Sequence, residues 1–179
     1  MYANQKRIER AWQNLRGWIT EFDGSATQTY LTNISTDILL QAVKSLAEQS
    51  ANFRVATISG EEEVQSQIVR PETIQENLAR LLTDEIAELN INYVASLEGL
   101  DLDIHMVVNT VGGQKVDLEI VWWSDQVFSD LEEAENFSYF QTLMEYFIAL
   151  QELFNAQKLY VGPETFDRPR PGSDQWEEI

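Results

Sequence analysis

From Asp101 to Trp123 the chain reads DLDIHMVVNTVGGQKVDLEIVWW, with apolar residues at every second position on both sides of a Gly-Gly pair. A period of two puts alternate side chains on opposite faces of a strand, so this stretch is expected to be a β-hairpin with one face on a core. Leu102, Ile104, Met106 and Val108 form the inner face of the first strand. Val116, Leu118, Ile120 and Trp122 form that of the second. A two-residue Gly112-Gly113 loop would set these apolar faces against charged ones. A three-residue loop, Val111-Gly112-Gly113, pairs Val108 with Val116, Met106 with Leu118 and Ile104 with Ile120. It also puts Gly113 at the left-handed position, where glycine costs least. The three-residue loop is therefore expected.

The other face then carries Asp101, Asp103, His105, Val107 and Asn109 beside Lys115, Asp117, Glu119, Val121 and Trp123. In that register His105 lies opposite Glu119, and Val107 opposite Asp117. One strand needs one tryptophan for its core, and Trp122 fills that role. Trp123 is expected to be at least partly exposed, with Val107 and Val121 as apolar neighbours and Asp117 and Glu119 as charged ones. These five residues, Val107, Val121, Trp123, Asp117 and Glu119, are the candidate protein-binding surface, and Trp123 is its anchor.

The remaining sequence supplies helices to cover the inner face. Ile8, Ala11, Trp12, Leu15, Ile19 and Phe22 make one helical stripe, stopped at Gly24. Residues 27–34 read as a short strand. Ser35 or Thr36 caps a helix reaching Gln49, and residues 53–59 and 63–70 read as a strand pair around Gly60 and Glu61–Glu63. Pro71 opens a helix carrying Ile74, Leu78, Leu81, Leu82, Ile86 and Leu89, expected to end near Asn90. Phe140, Leu143, Phe147, Leu150 and Phe154 form the seam of a long C-terminal helix. The expected fold class is α+β, an antiparallel sheet with a β-hairpin at 101–123 and helices packed on it. Residues 1–162 would form one domain, ending at Gly162-Pro163, and 163–179 a Pro-rich acidic tail whose Phe166 and Trp176 either dock on the body or stay free.

Charge narrows the partners. Thirty acids face twelve bases, a net charge of −18. Lys6, Arg7, Arg10 and Arg16 crowd the first helix, and Lys115 is the single base between Arg80 and Lys158, a stretch holding fifteen acids. Such a field repels nucleic acid and anionic membrane and favours a protein or basic peptide partner, although a solvating surface alone also accounts for it. No cysteine is present, which removes disulfides, thiol nucleophiles and thiolate metal sites. With no signal-like apolar run at the start and no membrane-length one elsewhere, a cytoplasmic location is expected.

No phosphate-binding glycine loop, metalloprotease helix motif or nucleophile elbow occurs, and neither a cofactor nor a metal is expected. The carboxylates of the hairpin resemble in part the D…ExK core of PD-(D/E)xK nucleases, but Val121 stands where that core carries its lysine. A divergent metal-dependent hydrolase is thus the alternative, and no enzyme activity is the expectation.

The order of elements, a helix, strands, a central helix (Glu72 to Leu89), the hairpin and a closing helix (Phe137 to Ala156), resembles the secretion-chaperone-like fold. The helix at Ser35 to Gln49 departs from it. The resemblance implies a small acidic non-enzymatic protein, dimeric, that holds extended segments of a client. An escort of this kind is the expected function, an inhibitor or immunity-type protein masking a basic site is its variant, and a homodimer is the expected assembly.

Overall fold

The alternating segments pair into one antiparallel sheet of eight strands, and the amphipathic helices cover one side of it. In the computed structural model, residues 2–20, 26–59, 62–65, 71–128, 133–163 and 176–179 are described. In chain order the elements are α1 (Tyr2–Ile19), β1 (Ala26–Ser35), α2 (Thr36–Gln49), β2 (Ala51–Ser59), β3 (Glu62–Gln65), α3 (Pro71–Leu82) and β4 (Glu88–Leu97). They continue as β5 (Leu100–Gly112), β6 (Lys115–Trp123), α4 (Ser124–Val127), α5 (Glu133–Leu153), β7 (Lys158–Pro163) and β8 (Glu177–Glu178). The strand order is β3-β2-β4-β5-β6-β1-β7-β8. The fold is α+β, as expected.

One core lies between sheet and helices. Leu102, Ile104, Met106, Val108, Val116, Leu118, Ile120 and Trp122 share it with Leu31, Leu89, Ile91, Leu159 and Val161 from neighbouring strands. The helices contribute Ile8, Trp12, Leu39, Val43, Ile74, Leu78, Phe140, Leu143 and Phe147. Trp12 on α1 sits 5.3 Å from the Phe140 ring and 5.9 Å from those of Phe128 and Phe137. This aromatic group joins the first helix to the last, with the rings tilted at 45–53° to one another. Beneath α5 the hydroxyls of Tyr93 and Tyr146 lie 2.6 Å apart. Burial pushes both phenols up, Tyr146 to about 12.

Helix ends explain where the sequence reading overran. α3 stops at Leu82, and Leu89 lies in β4 rather than on the helix. Asp84 adopts φ +56, its N–H reaches the Leu81 carbonyl at 3.2 Å, and the Glu85 N–H reaches that of Arg80 at 2.9 Å. That pair of bonds is a Schellman closure with aspartate in place of glycine. Ile86 and Leu89 continue the helical spacing but are buried from a turn and a strand. Asn155 (φ +46) closes α5 in the same way, with bonds from Asn155 N to Glu152 O and Ala156 N to Gln151 O. At the start of α2, the Ser35 side chain accepts from the Ile38 N–H, so of the two candidates Ser35 and Thr36 it is Ser35 that caps the helix.

The hairpin register differs from the expected one by two residues. Val108 pairs with Leu118, Met106 with Ile120 and Thr110 with Val116, and Gly112 then pairs with Lys115. The turn is Gly113-Gln114, and Val111 is the extra residue of a bulge next to it. Gly113 has φ +63, the conformation that a type II′ turn takes at its first central residue, and Gly112 has φ +96. The bulge absorbs one residue, so a two-residue turn still brings apolar side chains opposite one another. Because the shift is even, every side chain keeps its expected face. The cross-strand partners change: His105 faces Val121 rather than Glu119, and Val107 faces Glu119 rather than Asp117.

The sheet also runs past the expected boundary at Gly162-Pro163. β7 pairs with β1 through both residues, and β8 adds to its free edge. Trp176 and Ile179 are 7% and 6% exposed. Trp176 therefore docks on the body, whereas Phe166, Gly24 and residues 66–70 fall outside the described residues.

Candidate functional site

All the helices whose packing is described contribute to the single core on one side, leaving the opposite face of the sheet to be read row by row. One row runs Ala56, Asn90, Val107, Glu119, Tyr30, Tyr160 and Glu178 across seven strands. The next runs Arg54, Asn92, His105, Val121, Gln28 and Gly162. The five candidate residues lie together here on β5 and β6. Val107, Val121, Asp117 and Glu119 are half-buried between neighbouring strands, and Trp123 at the corner is 38% exposed. Trp122, one residue earlier, is fully buried and donates from Nε1 to Thr29 Oγ1 at 3.1 Å. The two adjacent tryptophans thus serve opposite faces.

The carboxylates of this face are held by neutral donors. Glu119 accepts from Gln28 Nε2 at 2.7 Å and from Asn109 Nδ2 at 3.5 Å. Asp117 accepts at 2.7 Å from the backbone N–H of Asn33, a left-handed residue (φ 62) at the bulge of β1. Asp101 accepts from Ser96 Oγ at 2.8 Å, and Asp103 from Gln126 Nε2 at 3.1 Å. Among the described residues the ion pairs are Arg10–Glu177, Arg16–Glu133, Arg80–Glu85 and Lys158–Glu178, none of which touches these four acids. The acids are oriented, and none of the four forms an ion pair among the described residues.

Towards β2 the face dips into a concavity of about 410 Å³ whose lining includes Asn52, Arg54, Asn92, Asp103, His105 and Trp123. A bulge in β2 opens it, with Asn52 at φ +54 between the Ala51–Val94 and Arg54–Asn92 pairs. His105 Nδ1 lies 2.5 Å from Asn92 Oδ1. Nearby, Asn90 is 5% exposed, and its Oδ1 has no hydrogen-bond partner among the described residues. Among the described residues no three His, Asp or Glu side chains converge to hold a metal ion. The arrangement offers fixed acceptors, one aromatic ring and two valines, which is the equipment of a contact surface.

The sequence puts Val107, Val121, Trp123, Asp117 and Glu119 on one face together with Asn109, but it gives no sign of Gln28, Asn92 and Arg54 as their neighbours. Period-two alternation marks a strand's face, but it carries no information about which strand lies beside it.

No family model matches the chain, and no curated protein matches it. A solved structure described as the toxic C-terminal tip of CdiA from Pseudomonas aeruginosa in complex with immune protein aligns with 78% of this chain and 86% of that chain. It is 17% identical, with a TM-score of 0.46. The helix α2 and the strands β7 and β8 stand outside the element order on which the secretion-chaperone-like resemblance rests. Among the described residues no helix is long and apolar enough to cross a membrane.

Proposed function

We propose that this protein is a non-enzymatic binding module whose open sheet face masks a basic site on a folded protein partner, as an inhibitor or immunity-type protein does. The observation that carries this reading is the set of four carboxylates, Asp101, Asp103, Asp117 and Glu119, each oriented by a neutral donor and none in an ion pair among the described residues. Fixing acceptors in advance lowers the ordering cost of binding, and unpaired charge of one sign selects a partner of the other. Exposed ion pairs contribute only about 0.2–1 kcal/mol each, so the acids steer and discriminate. Affinity has to come from desolvated apolar area, which Trp123 with Val121 and Val107 supplies.

The same geometry separates masking from escorting. An escort for extended segments needs an apolar groove or an open strand edge, whereas the β5–β6 part of this face carries oriented carboxylates beside a polar-lined concavity, with Trp123 at its corner. Two copies meeting face to face would set carboxylate against carboxylate, so the reading favours a different, basic partner over a homodimer through this surface.

The test uses the intact chain as bait in extract from its source cells, beside Trp123→Ala and Asp117→Asn/Glu119→Gln. A basic protein retained by the parent is expected, lost with Trp123→Ala and released at lower salt from the double variant. A partner of acidic or neutral surface, or one held equally by all three baits, would refute the reading. The hydrolase alternative predicts instead a stoichiometric Mg2+ or Mn2+ ion in a calorimetric titration.

A further inference from the structure

At the far edge of the sheet from β3, the segment Trp176–Ile179 is bound in the manner of a ligand. Its ladder to β7 is short: Glu177 pairs with Val161, Glu178 pairs with Tyr160, and the Ile179 N–H reaches the Leu159 carbonyl at 3.0 Å. Side chains do most of the holding. Trp176 packs edge-on against Tyr30, centroids 5.2 Å apart at 82°, in a small cluster with Tyr160 that is separate from the main core. Ile179 points to the other face and enters that main core. An aromatic and an aliphatic anchor thus grip opposite faces of the edge.

The acids between the anchors meet basic residues on α1 and β7. Arg10 Nε contacts Glu177 at 3.1 Å, and its Nη2 donates to the Glu178 carbonyl at 3.1 Å. Asn14 Nδ2 donates to Glu177 at 2.6 Å, and Arg7 donates to the Ile179 carbonyl at 3.3 Å. Lys158 contacts Glu178 at 2.8 Å and lies 5.6 Å from the centre of the Tyr160 ring. Glu178, then Tyr160, hold the Lys158 ammonium above its ordinary pKa. In a chain so poor in cations, three of them converge on four residues, and two of the four ion pairs among the described residues are made here.

We infer that the cleft formed by α1 and the edge of β7 is a peptide-recognition site for an extended segment of the pattern aromatic-acidic-acidic-aliphatic, occupied in cis by Trp176–Ile179. Backbone pairing along a sheet edge supplies the direction, and pockets on alternate faces supply the sequence preference. Among the described strands β8 borders only β7, so it can leave without unzipping any other of these pairs. Tyr30, Tyr160 and Glu178 continue the open-face row beyond Glu119, whereas Arg7, Arg10 and Asn14 of α1 and the Ile179 pocket belong to the covered side.

A chain with a protease site placed within residues 164–175 is purified folded, cut, and mixed with a fluorescein-labelled peptide of residues 173–179. Anisotropy should report saturable one-to-one binding to the cut chain, with the uncut chain at least about tenfold weaker because its own segment competes. A peptide with alanine in place of Trp176, or a cut chain carrying Arg10→Glu, should each lose at least about tenfold in affinity. A chain truncated after residue 175 is a second acceptor if circular dichroism finds it folded. Absence of binding to the cut chain, equal binding to cut and uncut chains, or indifference to both changes would overturn the assignment. So would a cut segment that high salt and excess peptide cannot exchange.

Discussion

Replacing Trp122 and Trp123 by alanine, one at a time, tests how two neighbouring residues of the same type divide their work. Trp122 is fully buried, its ring centre 6.2 Å from that of Phe147 and 6.3 Å from that of Phe128, and its indole N–H bonds Thr29 Oγ1. Burying a tryptophan removes roughly 200 Å² from water, about 5 kcal/mol at the usual coefficient. Truncations of buried aromatics cost about 3–5 kcal/mol. The orphaned Thr29 hydroxyl, itself fully buried, puts Trp122→Ala at the upper end, about 5 kcal/mol. Trp123→Ala leaves no enclosed cavity, because the ring lies at an exposed corner, and should cost about 1 kcal/mol. Urea unfolding followed by circular dichroism separates the two. For a chain of this size the melting midpoint should fall by roughly 10–20 °C for Trp122→Ala and by a few degrees for Trp123→Ala. Equal losses for both variants would refute the assignment of Trp123 to a free surface. A loss below about 1 kcal/mol for Trp122→Ala would refute the packing described for the core.

Gly113→Val should destabilise by about 1 kcal/mol or more through backbone strain alone, since φ is +63 and nothing lies within 4 Å of an added Cβ; an unchanged unfolding midpoint would contradict the turn. Tyr146 titrates near 12 when folded against about 10 when unfolded, so its contribution to stability is complete below pH ~10 and is lost as pH rises through ~12. Tyr146→Phe should remove part of that alkaline slope, on the order of 2 kcal/mol, in unfolding curves taken across the window. Asp117→Asn retains an oxygen to accept the Asn33 N–H, so paired with Glu119→Gln it should shift stability by less than about 1 kcal/mol while flattening the salt dependence of partner binding. A large stability loss in that double variant would mean the carboxylates serve the fold rather than a partner.

The strands of the hairpin, the inward turn of Trp122 and the outward turn of Trp123 are determined by local sequence, because a period of two assigns each residue to a face whatever the strand pairs with. The amphipathic helices follow from spacing of three and four in the same way, whereas the sequence offers Ser35 or Thr36 as the cap of α2 and the structure selects Ser35. Register was not legible: absorbing Val111 into a bulge is decided by how β5 and β6 fit between their neighbours, and both registers keep the apolar faces together. The end of α3 was hidden because Asp84 closes the helix where glycine is the usual sign, while Ile86 and Leu89 keep the helical spacing into a turn and a strand. The early cations of α1 show in the sequence only as a cluster on the first helix. Only the tertiary fold brings Arg7, Arg10 and Asn14 to residues 177–179, more than 160 positions along the chain. The open face has the same origin. Its carboxylates are written in the strands, but Gln28 and Asn33 reach them across the chain because β1 pairs beside β6, a neighbour that only the closed sheet selects.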